Sequence, residues 1–281
     1  MNGRELELQL PFHRLAGLRW GADDGSPVLA LHGWLDNAAS FARLAPMLDG
    51  LQVVALDLTG HGRSQHRPAG ANHHFVDWVP EVAAAADALG WERFSLLGHS
   101  MGAGISTLVS AAYPERVARA ALLEGAGPMA APAEEAAKQL RLALADEQRA
   151  AEGAARVFPD LESAVGARAR DTDLDHESAR LLVIRGTEEV DGGVCFTHDI
   201  RLKTRSRVRF TEGQVHALLA AIECPVLALR ALQGWPFPQD IVRRRLELIT
   251  NLRTFEVDGG HHVHLTHPER VAPTVNRFLL D

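Results

Sequence analysis

Phe94-Ser95-Leu96-Leu97-Gly98-His99-Ser100-Met101-Gly102 is the stretch that decides the reading of this chain. Phe94 to Leu97 is a short apolar run of the kind that forms a buried strand. From Met101 onward, Met101, Ile105, Leu108, Val109 and Ala112 follow helical spacing and make one apolar stripe. Ser100 therefore sits on the turn between a strand and a helix. A serine on so sharp a turn needs glycine two residues to either side, because a side chain there would collide with the neighbouring strand or helix. The turn exposes the hydroxyl at a helix N-terminus, where the dipole favours developing negative charge. The alternative is a chance G-x-S-x-G in a glycine-rich chain. With strand and helix both in place, the pattern reads as a nucleophile elbow with Ser100 as the attacking residue.

Working outward, the same strand mark recurs at Pro27 to Leu31, Val53 to Leu56, Ala118 to Leu123 and Val226 to Leu229. Continuous apolar runs of this kind are buried on both faces of a parallel sheet. Glu5 to Leu10 and Leu15 to Trp20 alternate with period two and read as antiparallel edge strands. Helical patterns such as Val82 to Leu89 lie between the runs, which predicts a doubly wound, mostly parallel sheet. The rhythm breaks between about Gly125 and Arg209. There the chain turns Ala-, Arg- and Glu-rich, with Pro132 near a helix start and Glu134 and Glu135 in its first turn. It resumes near Thr211. The expected organisation is an α/β core of residues 1–124 and 211–281, with a helical cap inserted at 125–210.

A serine hydroxyl needs a base to take its proton. Candidates lie after the strand Thr254 to Val257, in Asp258-Gly259-Gly260-His261-His262-Val263-His264. His261 directly follows the glycine pair on the loop leaving the last strand and is the preferred base. His262 and His264 read as packing or pocket residues, as do His32, His61, His73 and His74. A carboxylate must orient the base. Its usual place, the loop after Val226 to Leu229, reads Arg230-Ala231-Leu232-Gln233-Gly234-Trp235-Pro236-Phe237-Pro238 and holds no acid. Glu124 instead ends the strand Ala121-Leu122-Leu123, at the edge of the sheet where ligand-facing side chains emerge. It is the assigned acid, with Asp240 in reserve. The backbone N–H groups of Trp34, after Leu29-Ala30-Leu31-His32-Gly33, and of Met101 are the expected oxyanion donors. His99, Trp235, Phe196 and Met129 are assigned to substrate contact, with Phe158, Phe210 and Trp34 as further apolar lining.

Composition bounds the partners. The chain has 281 residues, 46% hydrophobic and 23% charged, with a formal net charge of −7. That balance excludes a nucleic-acid stripe or an anionic-membrane surface. Only Lys138 and Lys203 are lysines, and the alternating Arg201, Lys203, Arg205, Arg207 and Arg209 read as a solvated face. Cys195 and Cys224 cannot build a disulfide framework or a four-ligand zinc site. The N-terminal residues carry no signal-peptide pattern, and no apolar stretch reaches the length of a membrane span. The expectation is a cytoplasmic protein, monomer or homodimer, acting on a small molecule.

Taken together, His32-Gly33-Trp34-Leu35-Asp36-Asn37, Asp57-Leu58-Thr59-Gly60-His61-Gly62-Arg63-Ser64, the elbow and Gly260-His261 resemble the α/β-hydrolase superfamily. More narrowly, Trp34-Leu35-Asp36-Asn37, Glu124-Gly125 and His261-His262-Val263-His264-Leu265 are similar to the serine hydrolase-like proteins. The resemblance covers nearly the whole chain. It implies the α/β-hydrolase fold, with a mostly parallel eight-stranded sheet flanked by helices. It also implies a Ser100–Glu124–His261 triad that forms an acyl-enzyme from an ester-type substrate, without metal or organic cofactor. An acid after the earlier strand also occurs in some haloalkane dehalogenases, but these carry aspartate where this chain has Ser100. The same triad runs carboxylesterases, thioesterases, lactonases, C–C bond hydrolases and cofactor-free haloperoxidases, so it does not choose a substrate. The competing expectation is a ligand-binding or signalling protein on the same fold with little turnover.

Overall fold

In the computed structural model, which describes residues 3–153 and 155–281, the apolar runs become the strands of one sheet. β1 (Arg4–Gln9) and β2 (Arg14–Trp20) form an antiparallel pair, followed by β3 (Ser26–Leu31) and β4 (Leu51–Leu56). Helix α1 (Trp78–Ala88) leads to β5 (Phe94–His99), α2 (Met101–Ala112) and β6 (Val117–Leu123). The eight-stranded sheet also contains β10 (Val226–Gln233) and β11 (Leu252–Gly260), in the order β1-β2-β4-β3-β5-β6-β10-β11. β3 pairs with β4 and β5, β6 with β5 and β10, and β10 with β11, all in parallel.

The continuous apolar runs have the expected cause. Val28 and Ala30 of β3 join Val53 and Ala55 of β4 in the core on one face of the sheet. Leu29 and Leu31 join Val54 and Leu56 in the core on the other. Each central strand thus feeds two cores by the alternation of its side chains. Helices α1 and α2 cover the second core through Trp78, Val82, Ile105 and Val109.

Between β6 and the later half of the sheet lies an insertion of α3 (Ala136–Glu152), β7 (Val157–Phe158), α4 (Leu161–Arg170) and α5 (His176–Gly186), then β8 (Thr187–Val190) and β9 (Gly193–Phe196). α3, α4 and α5 are helices. The insertion also contains a three-stranded sheet, β7-β9-β8, which the helical reading did not include. The hairpin turns on Asp191-Gly192, with Gly192 at φ 87° and Gly193 at 143°. A Cβ at Gly193 would lie 1.9 Å from the Phe158 carbonyl oxygen, so a side chain there would part β7 from β9. The basic alternation does not form a strand. Ile200–Lys203 is a 3-10 turn, and Arg205 and Arg207 pair with Asp146 and Glu147 of α3.

The chain returns to the sheet through α6 (Glu212–Ala220), β10 (Val226–Gln233), α7 (Gln239–Leu246), β11 (Leu252–Gly260), the single turn α8 (Val263–Thr266) and α9 (Pro268–Leu280). The packing face of α9 (Val271, Val275, Phe278, Leu279) closes the first core. No helix among the described residues is long and apolar enough to cross a membrane.

The insertion is tied to the carboxyl ends of the parallel strands. Asp57, fully buried after β4, accepts from the Ala38 N–H at 2.7 Å, the Arg63 N–H at 2.9 Å and Arg185 Nε of α5 at 2.9 Å. Arg185 in turn donates to Glu5 at 3.0 Å. Burial alone would lower its pKa, but Asp57 and Glu5 raise it, so the guanidinium stays charged. Gly62 (φ 53°) gives this carboxylate room, since a Cβ there would meet it at 2.4 Å. Asn37 adds a bond from Nδ2 to the Leu182 carbonyl at 2.8 Å. Removing one partner of a buried charge pair costs about 3–5 kcal/mol. Asp57→Ala should therefore lower the thermal midpoint by about 6–15 °C in scanning calorimetry. A change within about 1 °C would show that this clasp does not seat the insertion.

Candidate active site

Ser100 occupies the turn from β5 to α2 with φ 51° and ψ −111°, one of three non-glycine residues at positive φ among those described. Such backbone costs about 1–3 kcal/mol and persists only where the surroundings over-determine it. Here the surroundings are the flanking glycines. A Cβ at Gly102 would lie 1.9 Å from the Leu31 carbonyl oxygen, and one at Gly98 would lie 2.4 Å from that of Gly102. The Ser100 N–H is held by the Leu123 carbonyl at 2.9 Å. Its side chain makes no capping bond to α2 and is left partly exposed.

Glu124 and His261 meet. His261 Nδ1 lies 3.1 Å from Glu124 Oε2, although 137 residues separate them. Glu124 is 6% exposed and also sits at positive φ, 56°. Its carboxylate accepts the Ala231 N–H on Oε1 at 2.6 Å and the Trp235 N–H on Oε2 at 3.1 Å. The loop with no acid of its own therefore wraps around an acid supplied by β6. Gly234 makes the wrap fit, because a Cβ there would fall 2.0 Å from Glu124 Oε2. Asp240 is not brought to this place: it lies in the first turn of α7, exposed, with Arg243 3.7 Å away.

Met101 is the first residue of α2, where backbone N–H groups have no intrahelical partner. Trp34 follows β3, immediately before Leu35, whose φ is 60°. The Trp34 indole donates to the Leu202 carbonyl of the insertion at 2.9 Å, and its ring is half exposed. Of the assigned substrate contacts, Trp235 and Met129 are exposed, and the Trp235 ring lies 5.8 Å from that of His261. Phe196 packs edge-on against Phe158 at 5.6 Å within the insertion and, with Leu35 and Arg168, lines a small recess. His99 departs from the sequence assignment. It is 1% exposed and presents no surface to a substrate, because the last side chain of β5 turns inward.

His99 instead supports His261. Its Nε2–H donates to the His261 carbonyl at 2.9 Å. His262 and His264 pack beside it, with ring centroids 5.0 and 4.2 Å away. The acids of this cluster are residues to which the sequence reading gave no role. Asp36, in the quoted Trp-Leu-Asp-Asn run, accepts from Arg168 of α4 at 2.5 Å and lies 3.4 Å from His262 Nε2. Asp173, in the turn after α4, meets His262 Nδ1 at 2.5 Å and accepts the His262 N–H at 2.9 Å. Burial would lower the pKa of His262, but Asp36 and Asp173 raise it to about 9. Burial would likewise raise that of Asp36, and His262 and Arg168 hold it well below the usual range. Desolvation, with His262 next to it, drives His264 down to about 3. Desolvation and the adjacent His264 keep His99 neutral. Asp36 carried a readable signal, an acid two residues after Trp34 in the quoted run. Asp173 carried none.

The family model described as the alpha/beta hydrolase fold matches residues 26–268. A serine hydrolase-like protein of Danio rerio is 34% identical over 98% of this chain and 88% of its own length. A probable serine hydrolase of Drosophila melanogaster is 32% identical over 98% of this chain and 87% of its own. Among solved structures, the hypothetical protein PA1622 from Pseudomonas aeruginosa PAO1 superposes with a TM-score of 0.94 at 42% identity, covering 99% of both chains. With its strand order, its serine elbow and these relatives in agreement, the chain belongs to the α/β-hydrolase superfamily.

Proposed function

We propose that this chain is a serine hydrolase that cleaves an ester-type bond of a small to medium apolar substrate through an acyl-enzyme on Ser100. The reading covers carboxylesters, thioesters and lactones. The observation that carries it is the 3.1 Å contact between His261 Nδ1 and the buried Glu124 carboxylate, one sheet position from the Ser100 elbow. Glu124 holds the Nδ1–H tautomer, which leaves Nε2 of His261 free to act as base. Ser100 Oγ attacks the substrate carbonyl carbon while its proton passes to His261. The carbonyl oxygen becomes an oxyanion stabilised by the backbone N–H groups of Trp34 and Met101. The imidazolium, stabilised by Glu124, then protonates the leaving oxygen or sulfur as the tetrahedral intermediate collapses. Water, deprotonated by His261, attacks the acyl-enzyme and frees the acid and Ser100. The segment 125–210 acts as the cap, and exposed Trp34, Trp235 and Met129 supply apolar contact at its border with the core.

The test is hydrolysis of a panel of p-nitrophenyl esters, thioesters and lactones. Ser100→Ala should lose about 10³–10⁴-fold or more in kcat and fail to react with a fluorophosphonate. Equal turnover by wild type and variant would falsify the nucleophile. Glu124→Gln places an amide where one carboxylate oxygen faced two donors, so kcat should fall by about 10²–10⁴-fold with the fold retained. Asp240→Asn should leave turnover unchanged, and the opposite ranking of these two variants would move the acid to α7. Gly234→Ala must displace the Glu124 carboxylate, and kcat should drop at least about tenfold with little change in KM. Wild-type kcat in that variant would mean that the wrap does not position the acid.

A further inference from the structure

Behind His261, three buried side chains, Asp36, His99 and His262, each bring one potential ligand atom within 4.8 Å of the other two. We propose that these three residues bind one divalent transition-metal ion as a structural site that joins the insertion to the core beside His261.

The donor distances are the first argument. Asp36 Oδ2 lies 3.4 Å from His262 Nε2 and 3.8 Å from His99 Nδ1. Both exceed the usual N–H···O range of about 2.7–3.2 Å. They suit two ligands of one ion with bonds of about 2.0–2.2 Å in near-tetrahedral geometry.

The second argument is the unpartnered atom. His99 Nε2 faces a carbonyl oxygen, that of His261, and must carry the proton to bond it. The other ring nitrogen, Nδ1, makes no hydrogen bond although fully buried. It faces the Asp36 carboxylate at 3.8 Å, beyond hydrogen-bond range. A cation at that point gives Nδ1 the partner it lacks. Gly33 keeps the place clear: a Cβ there would come within 2.9 Å of His99 Nδ1 and 3.3 Å of Asp36 Oδ2.

The outer shell is already built. A histidine ligand commonly donates its second N–H to a carboxylate or carbonyl, which fixes tautomer and ring orientation. Here Asp173 accepts from His262 Nδ1 and the His261 carbonyl accepts from His99 Nε2. Arg168 holds the other oxygen of Asp36 at 2.5 Å. Two imidazoles and one carboxylate select a metal such as Zn²⁺ rather than Mg²⁺ or Ca²⁺. Both imidazoles must bind through an unprotonated nitrogen, so uptake releases any proton that a ligand nitrogen carries. Arg168 and Asp173 come from the insertion and the three ligands from the core, so the ion strengthens the seating of one on the other. The hydrolysis proposed above needs no metal, and the two readings stand or fall separately.

The experiment is a titration of chelator-stripped full chain with Zn²⁺, followed by calorimetry, metal analysis and thermal unfolding. One equivalent should bind per chain, and at zinc a hundredfold above Kd the midpoint should rise by about 5–10 °C. His99→Gln should weaken this binding by at least about a hundredfold. Asp173→Asn, outside the ligand set and partly exposed, should weaken it by about 10–100-fold; it keeps the test decisive if the ligand variant does not fold. Failure of the stripped wild type to take up one equivalent would overturn the site. So would uptake unchanged in Asp173→Asn, or in a folded His99→Gln, since the zinc would then sit on surface histidines.

Discussion

The site depends on the burial of one carboxylate. Glu124 ends β6 inside the protein, and its charge is tolerated because three donors converge on it: the Ala231 and Trp235 N–H groups and the His261 ring. A buried carboxylate with fewer partners would cost several kcal/mol. The donors come from the ends of β10 and β11, the next two strands in the sheet. Strand order thus brings His261 to Glu124, because His261 leaves β11 where that carboxylate already stands. The strained backbone of Glu124 belongs to the same device. Its N–H still bonds to the Leu229 carbonyl at 2.9 Å, so the strand stays in register while the side chain turns out of the pleat.

Beneath His261 a second polar layer sets its other contact. The peptide carbonyl of His261 accepts from His99, and the neighbouring residue His262 is clasped between Asp36 and Asp173. Two of the charges in this layer, Arg168 and Asp173, belong to the insertion. Together with the Arg185–Asp57 pair, they mean that the insertion is anchored by buried ions as well as by apolar packing. Such contacts contribute little net stability over apolar ones, but they are demanding in geometry. They hold the insertion in one position relative to the strand ends.

The sequence was legible wherever short-range sterics or periodicity carried the information. The strand runs, α2 and the elbow lie where their patterns place them. The emptiness of residues 230–238 pointed to Glu124. It could not show that Gly234 is there to make room for that carboxylate, which is a long-range steric fact. His99, expected at the substrate, is instead buried, because strand alternation sends the side chain that ends β5 inward. The strands of the insertion escaped because they are two to four residues long, too short to express a period amid helical composition.

Local sequence by itself determined the elbow at Ser100, since its glycines act within two residues and on the strand–turn–helix that contains them. It also determined which faces of the strands are apolar, through side-chain alternation. Only the tertiary structure decided that Glu124 meets His261, and that Asp36, His99 and His262 point at one another from three separate loops and strand ends. Periodicity specifies which face of an element is buried. It does not say which distant ends the sheet order brings together.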